Sequence, residues 1–183
     1  MSAMLVDLGA VESSLSKDSV ASHRLSAARQ SAETTVKSIR DISLLLRPSM
    51  LDDLGLVPAL KWQAREMARR TGLKVNVDAE EGADSLPDSH RTCIYRVVQE
   101  ALNNCAKHSK AKRVKVLVRQ NQDEVEFSVQ DDGVGFNPAS DKGMGRLGME
   151  ERINRLRGAL RIESEKGHGT TLSAVLPLKS MGA

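Results

Sequence analysis

The stretch that decides the fold is DDGVGFNPASDKGMGRLGM, residues 131–149, in which five of the residues are glycine. It begins with two aspartates and leads into an amphipathic helical pattern. Because glycine loses more backbone entropy on folding than any other residue, such a cluster needs a physical reason. We expect the backbone here to come close to a ligand, and the elements on either side indicate which ligand that is.

The composition is that of a soluble chain of one or two domains. It has 183 residues, of which 40% are hydrophobic and 28% charged, with a net charge of +3. Aromatic residues make up only 2%, too few for a surface that stacks the bases of single-stranded nucleic acid. No apolar run reaches the roughly 18 residues of a membrane span, and no signal peptide leads the chain. We therefore expect a cytoplasmic protein without direct nucleic-acid or membrane contact.

The two cysteines do not form a disulfide or a metal site. Cys93 and Cys105 are predicted to share one helix, on which twelve residues span roughly 18 Å. That separation is too large for a disulfide bond. No spacing typical of metal ligands is present either.

The first part of the chain is predicted to be a helical hairpin. Apolar residues recur at helical spacing from Leu5 to Leu15 and again from Leu25 to Leu46, with SKDSVAS, residues 16–22, as the turn. Pro48 ends the second helix. A lone hairpin leaves its apolar stripe in water, so we expect it to pair with a second copy as a homodimer. The alternative is that it folds back on its own second domain.

The second part mixes helices with strands. Asp52, Asp53 and Gly55 mark a joint, and a helix follows from about Leu56 to Arg70, with Gly72 at its C-cap. The later pattern predicts, in order, a strand LKVNVD, a helix from Pro87 to about His108, a hairpin of strands Arg113–Arg119 and Glu124–Gln130, a helix from about Met149 to Arg157, and strands ALRIES and TTLSAVLPL. Such an order predicts an α+β layer with helices on one face of the sheet.

The helix before the strand hairpin carries two stripes. Its core face is predicted to hold Ile94, Val98, Ala101 and Cys105. A stripe roughly 120° away carries Glu100, Asn104 and Lys107, with His108 one turn beyond Asn104. An amide oxygen is a hard ligand suited to Mg²⁺. A solvent-exposed helix face, with the cations that are common at a helix C-terminus, would show the same stripe. This helix alone therefore does not distinguish a ligand site from an exposed surface.

GMGRLG, residues 143–148, also satisfies the G-x-G-x-x-G fingerprint of dinucleotide-binding folds. That fingerprint needs a strand immediately before it and a βαβ context. Here the preceding segment NPASDK is a predicted loop, and the strands form hairpins. A Walker A loop and the signatures of Ser/Thr protein kinases are absent.

Four motifs occur in a fixed order, namely QEALNNCAKH, DDGVGF, GMGRLGM and GHGTTL. With them the chain resembles the ATP-binding domain of sensor histidine kinases, which shares its fold with type II topoisomerase, heat-shock-90 and mismatch-repair ATPases. The first motif is similar to the N box and the next two to the glycine boxes. LLLRPSMLDDLGLVPAL, residues 44–60, further resembles the subfamily of nitrate sensors and thermosensing lipid-desaturation regulators.

The resemblance implies the architecture in more detail. Residues 51–183 would form a two-layer α/β sandwich that binds ATP, built on a mixed sheet with helices on one face. Residues 1–50 would be a truncated dimerisation and histidine-phosphotransfer hairpin.

The resemblance also assigns roles at the phosphate end of an ATP site. Asn104 would bind Mg²⁺ between the phosphates, and Glu100 would orient or activate the attacking group. Lys107 and His108 would meet the phosphate tail. The lid that wraps the triphosphate would contain Gly143, Gly145 and Gly148, with backbone N–H groups and the next helix N-terminus facing the phosphates.

At the base end, Asp131 would accept a hydrogen bond from the adenine amino group. Gly133 and Gly135 would keep the turn beside the base free of side chains. Thr170 or Thr171 would close the base pocket, although a glycine-rich hairpin corner explains these residues almost equally well. Asp132 is given no role.

One feature departs from the family pattern. The phosphorylated histidine should lie in the first hairpin helix, within an H-D or H-E context, and none of the four histidines has that context: His23, His90, His108 and His168. We therefore expect a C-terminal fragment that lacks the acceptor histidine and does not phosphorylate itself. Whether a sensor region or membrane anchor precedes Met1 stays open.

The function implied is that of an ATP-dependent protein-histidine kinase of a two-component system. It would transfer the γ-phosphoryl group to a histidine and then to the receiver domain of a response regulator with a helix-turn-helix output. Two alternatives stay open, namely a catalytically silent ATP-binding dimerisation module and an ATPase or anti-sigma-type serine kinase of the same superfamily.

Overall fold

The computed structural model describes residues 21, 25–27, 49–138 and 144–178. The chain divides into two compact units, Met1–Pro48 and Ser49–Ala183. In the first unit the described residues, 21 and 25–27, are helical. The predicted dimerising hairpin otherwise lies outside the described residues and stays a prediction.

The second unit contains a five-stranded mixed sheet with helices. Its elements are α1 (Ser49–Leu54), α2 (Leu56–Thr71), β1 (Lys74–Ala79), a 3₁₀ turn (Glu81–Ser85), α3 (Asp88–Asn104), a π-helical turn (Cys105–Ser109), β2 (Arg113–Gln120), β3 (Glu124–Asp131), α4 (Met144–Arg155), β4 (Ala159–Ser164) and β5 (Thr170–Pro177). The strand order is β1-β2-β3-β5-β4. Only β1 and β2 run parallel, and the other neighbours are antiparallel. The α+β prediction is confirmed.

The core lies on one face of this sheet. Along β2 and β3, buried residues alternate with more exposed ones, as expected for a sheet with one face covered. The inward side chains of the two strands are Val114, Val116, Val118, Val125, Phe127 and Val129. The predicted core face of α3 is also confirmed, because Ile94, Val98, Ala101 and Cys105 are all buried. Burial of each such aliphatic side chain contributes about 1.5–3 kcal/mol to the stability of the fold.

Both ends of α2 depend on glycine. Gly55, with φ of +91°, precedes the helix, and the Val57 N–H donates to Asp84 Oδ1 at 2.8 Å. Asp84 therefore caps the helix from the distant 3₁₀ turn, because Gly55 has no side chain to do so. Gly72 ends the helix in the left-handed conformation with φ of +75°, and its N–H donates to Ala68 O, as the sequence predicts.

The joint is shorter than the sequence indicates. Asp52 and Asp53 lie within α1 rather than in a linker, and only Gly55 separates α1 from α2. The physical reason is burial, since Leu51 in the same helix is 1% exposed and belongs to the core.

The last helix begins five residues earlier than predicted, at Met144 instead of Met149. Its glycines argue against helix by propensity, but tertiary packing prevails because Met149 and Ile153, four residues apart, are both buried. Arg146 and Glu150 form an i,i+4 ion pair along the same helix. Gly145 and Gly148 therefore lie in a helix and not in a lid loop.

Asp132 fastens the start of β2 to the end of β3. Its Oδ1 accepts hydrogen bonds from the N–H groups of Lys112 and Arg113, each at 2.8 Å, and its Oδ2 accepts one from Arg113 Nε at 3.0 Å. These bonds, led by that from the Arg113 backbone, lower the pKa of Asp132 to about 2. Asp132 thus has a structural task distinct from that of its neighbour Asp131.

The two helix-flanking glycines give the first prediction. A Cβ added at Gly72 meets nothing within 4 Å. Gly72→Ala should therefore lower the free energy of unfolding only by the cost of placing alanine in the left-handed conformation, about 1–2 kcal/mol. A Cβ added at Gly55 would lie 2.8 Å from Asp84 Cγ, so Gly55→Ala should cost more because it also displaces the cap. Urea unfolding of both variants measures the difference, and an equal or smaller loss at Gly55 would contradict the capping role of Asp84.

Candidate functional site

A cavity of about 370 Å³ lies between the end of α3, the π-helical turn, the strands β3 and β5, and the start of α4. This volume falls in the range of small-molecule sites. Apolar side chains form part of the wall, among them Val129, Met149, Ile162 and Leu172. Polar side chains converge on the remainder, and they include several of the residues that the sequence singles out.

The structure brings six of the predicted site residues to this cavity: Asn104, His108, Asp131, Gly135, Gly145 and Thr170. Glu100 and Gly133 lie beside it, in contact with Gly145 and Asp131 respectively. Lys107, Gly148 and Thr171 do not line it. Gly143 lies outside the described residues.

Asp131 is the buried acid of the cavity. It is the last residue of β3 and is only 7% exposed. Its Oδ1 accepts a hydrogen bond from the Gly133 N–H at 2.8 Å, and its Oδ2 accepts one from Cys105 Sγ at 3.6 Å. Each carboxylate oxygen has two lone pairs, so Asp131 can accept a further hydrogen bond from a ligand.

The Cys105 thiol supports Asp131, a role that the sequence did not reveal. Burial, followed by the negative charge of Asp131 and the hydrogen bond to it, raises the pKa of Cys105 to about 12. The thiol therefore keeps its proton at neutral pH and acts as a donor. Both Cys105 and the second cysteine, Cys93, are free and buried.

The glycines around Asp131 make room for the protein's own backbone. A Cβ added at Gly133 would meet Ser109 O, one at Gly135 would meet Glu165 O, and one at Gly169 would meet Asp131 O. Gly135 and Gly169 also have positive φ angles, of +61° and +78°. The sequence led us to expect close approach to a ligand, whereas at these positions the close approach is between chain segments.

On the opposite wall, the first turn of α4 lies against the end of α3. A Cβ added at Gly145 would meet Glu100 Oε1 and would lie 3.7 Å from Asn104 Nδ2. Glycine at this position is thus what lets α4 approach the acid and the amide. Glu100 and Asn104 are both partly exposed, as groups that meet a ligand need to be.

The π-helical turn separates Lys107 from His108. The sequence pattern predicts a continuous α-helix to His108, but α3 ends at Asn104 and a wider turn follows. In this turn each residue advances less around the axis than in an α-helix, so Lys107 moves away from the face that carries Asn104. His108 lines the cavity, and Lys107 is exposed beside it.

Arg146 brings a guanidinium group, ion-paired with Glu150, to the cavity wall. Its Nε donates to Glu150 Oε1 and its Nη1 donates to Pro138 O, both at 2.9 Å. It lies in the first turn of α4, where unpaired backbone N–H groups and the helix dipole also favour an anion. The sequence does not indicate this role of Arg146, because a single arginine inside a glycine motif forms no pattern.

Ser164 forms a small network behind the cavity wall and was also missed. Its Oγ donates to Gly169 O at 2.9 Å and accepts a hydrogen bond from the Phe136 N–H at 2.9 Å. Thr170 does line the cavity, and its Oγ1 lies 3.0 Å from Ser164 Oγ. Ser164 thus joins β4, the turn before β5 and the loop after β3.

The cavity therefore has two chemically different ends. Asp131 with the apolar wall provides a buried acceptor, which suits a flat heterocycle that carries an amino group. Asn104, His108, Arg146 and the start of α4 provide an amide, basic side chains and a helix N-terminus, which suit phosphates. Among the described residues, no group of three or more His, Cys, Asp or Glu side chains could hold a metal ion.

In the part of the chain that the structure describes, none of the helices has the length and apolar character needed to cross a bilayer.

Comparisons with known proteins identify the family of this domain. Residues 89–180 match the family of histidine kinase-, DNA gyrase B- and HSP90-like ATPases. The sensor histidine kinase MctS of Rhizobium johnstonii is 39% identical over 147 residues, which are 78% of this chain and 32% of that protein. The oxygen sensor histidine kinase NreB of Staphylococcus carnosus is 34% identical over 146 residues, 78% of this chain and 42% of that protein. The chain thus spans less than half the length of these relatives.

A solved structure shares the fold. The histidine kinase domain of the blue-light activated histidine kinase from Erythrobacter litoralis superposes with a TM-score of 0.65 at 20% identity, over 97% of this chain and 93% of that one. At this identity the likeness concerns the fold alone. The relatives do not favour a serine kinase or a chaperone-type ATPase. The chain belongs to the family of histidine kinase-, DNA gyrase B- and HSP90-like ATPases, and residues 89–180 form its ATPase domain.

Proposed function

We propose that this chain is the ATP-binding catalytic portion of a two-component sensor histidine kinase. It binds ATP with Mg²⁺ and serves the transfer of the γ-phosphoryl group to a histidine, from which a response regulator takes it. The observation that carries the proposal is the buried Asp131 carboxylate, which faces an apolar-walled cavity whose other end is lined by Asn104, His108 and Arg146.

At the base end, Asp131 accepts a hydrogen bond from the adenine amino group, while Val129, Met149 and Leu172 contact the faces and edges of the ring. Guanine presents an oxygen at the corresponding position. Two acceptors facing each other repel, and the buried carboxylate then lacks a ligand donor. The cavity therefore favours adenine.

At the phosphate end, Asn104 would hold Mg²⁺ through its amide oxygen, and the ion would neutralise phosphate charge. His108, Arg146 and the first N–H groups of α4 stabilise the phosphate charge, and exposed Lys107 adds to the local positive potential. Bound ATP supplies the phosphoryl group, so the protein contributes positioning and charge neutralisation. Glu100, beside Gly145 and one turn before Asn104, orients the imidazole that receives the group.

The remaining partners follow from the relatives, which are named sensor histidine kinases. We propose that the chain forms a homodimer through the helical hairpin, works in the cytoplasm and passes the phosphoryl group to a receiver domain with a helix-turn-helix output. A catalytically silent dimerisation module is the alternative. It is disfavoured because Asp131 and Asn104 are both present and both line the cavity.

Two neighbouring aspartates test the base assignment. Asp131→Asn replaces an acceptor oxygen with a donor, and loss of a charged hydrogen bond costs about 1.5–3 kcal/mol, so ADP affinity should fall roughly 10- to 150-fold. Asp132→Asn is the matched control and should change affinity less than about 2-fold, because Asp132 bonds to Lys112 and Arg113. Titration calorimetry measures both, and an equal loss in the two variants would refute the assignment of Asp131.

Two neighbouring asparagines test the metal assignment. ADP affinity is measured with Mg²⁺ and with EDTA, and the wild-type chain should bind more tightly with Mg²⁺. Asn104→Ala should abolish this gain without lowering the melting temperature appreciably, since the side chain is partly exposed. Asn103→Ala, which alters a residue that does not line the cavity, should keep the gain. A full Mg²⁺ effect in Asn104→Ala would exclude Asn104 as the metal ligand.

The chemistry of the transferred group tests the reaction itself. The assay uses γ-labelled ATP and a longer partner chain that contains the complete first hairpin helix with its histidine but carries Asn104→Ala in its own ATP site. The label should be acid-labile and alkali-stable, as phosphohistidine is. Asn104→Ala should remove the label, and Asn103→Ala should retain it. An acid-stable, alkali-labile label that depends on Asn104 would indicate a serine kinase and defeat the proposed reaction.

A further inference from the structure

Two hydrogen-bonding side chains lie next to each other on the cavity floor. Asp131 in β3 and Thr170 in β5 are direct partners in the antiparallel register, and both line the cavity. Side chains at directly opposite positions have Cβ atoms about 4.5–5.5 Å apart and share one face of the sheet. A ligand group that reaches the Asp131 carboxylate therefore also comes near the Thr170 hydroxyl.

The direction of the Thr170 hydrogen bond follows from counting protons. Ser164 Oγ lies 2.9 Å from Gly169 O, 2.9 Å from the Phe136 N and 3.0 Å from Thr170 Oγ1. A hydroxyl has one proton and two lone pairs. Gly169 O can only accept, so it takes the Ser164 proton, and the Phe136 N–H can only donate. The remaining lone pair of Ser164 must then accept the proton of Thr170.

Thr170 consequently has no proton left for a ligand. Its hydroxyl hydrogen points to Ser164, which does not line the cavity, so the Thr170 oxygen can meet a ligand in the cavity only as an acceptor. The Asp131 carboxylate is an acceptor as well, since its two protein partners both donate to it. The cavity floor thus presents two acceptors side by side.

We propose that Ser164 is a positioning residue that fixes Thr170 as an acceptor, so that the cavity reads the 6-position of a purine with an acceptor pair. This proposal rests on the proposed function, namely that the cavity binds an adenine nucleotide. The 6-amino group of adenine has two N–H bonds and can satisfy acceptors, directly or through a water molecule. The 6-oxo group of hypoxanthine cannot donate. Without Ser164, the Thr170 hydroxyl could rotate and donate to that oxygen.

The matched probes are ADP and inosine diphosphate, whose bases differ at position 6, which carries an amino or an oxo group, and at the adjacent N1, which accepts a hydrogen bond in adenine and carries a proton in hypoxanthine. The measured quantity is the ratio of their dissociation constants in the full chain, determined by titration calorimetry with Mg²⁺. In the wild type ADP should bind more tightly. In Ser164→Ala this preference should fall about 10-fold, the equivalent of one hydrogen bond. Ser164→Thr keeps the hydroxyl at a strand position that suits threonine and should keep the preference.

Thr170→Val provides a second, independent test. It removes the acceptor itself, so the preference for ADP should fall by a similar factor, about 10-fold. Adding Ser164→Ala to Thr170→Val should leave the ratio unchanged, because Ser164 acts through Thr170. If Ser164 only holds the loops together, its replacement weakens both nucleotides equally, and that unchanged ratio would overturn the proposal. An unchanged ratio in Thr170→Val would overturn it as well.

The two levels of inference fail differently. A wild-type chain that binds neither ADP nor inosine diphosphate would refute the proposed function, and the role of Ser164 with it. A wild-type chain that prefers ADP while the preference survives in Ser164→Ala would leave the nucleotide site intact and refute only the role of Ser164.

Discussion

The buried carboxylate of Asp131 is the constraint on which the rest of the domain depends. A charged group removed from water costs several kcal/mol unless hydrogen bonds compensate. The compensation comes from two separate segments, the Gly133 N–H of the following loop and the Cys105 thiol of the π-helical turn. The end of the central strand β3, the loop and the helix end therefore come together at this carboxylate.

This convergence explains the glycines better than ligand contact does. The carbonyl of Ser109 accepts the Val134 N–H at 2.7 Å and occupies the place that a Cβ at Gly133 would take. Likewise, the carbonyl of Asp131 occupies the place that a Cβ at Gly169 would take. Backbones that pack this closely exclude any side chain between them. The glycine motifs thus mark where loops pass each other around Asp131, and the cavity forms beside that crossing.

Features that depend on residues close together in the sequence could be predicted, whereas features that depend on distant partners could not. The strands and the core face of α3 were predictable because their burial repeats with a local period. The start of α4 at Met144 was not, because tertiary burial prevails over the low propensity of its glycines. The π-helical turn leaves no compositional mark. Asp131 and Asn104 were found through motif resemblance, whereas the roles of Ser164 and Cys105 depend on partners 28 and 26 residues away.

The junction between α3 and the π-helical turn links the two ends of the cavity. Asn104 is the last residue of the α-helix and Cys105 the first of the turn, so the two side chains leave the axis in directions roughly 100° apart. One lines the polar end, and the other donates to Asp131 at the opposite end. Because a single peptide bond joins them, a shift of the helix end that moves the amide also moves the thiol. The geometry of the phosphate end and that of the base end are therefore fixed by the same turn of backbone.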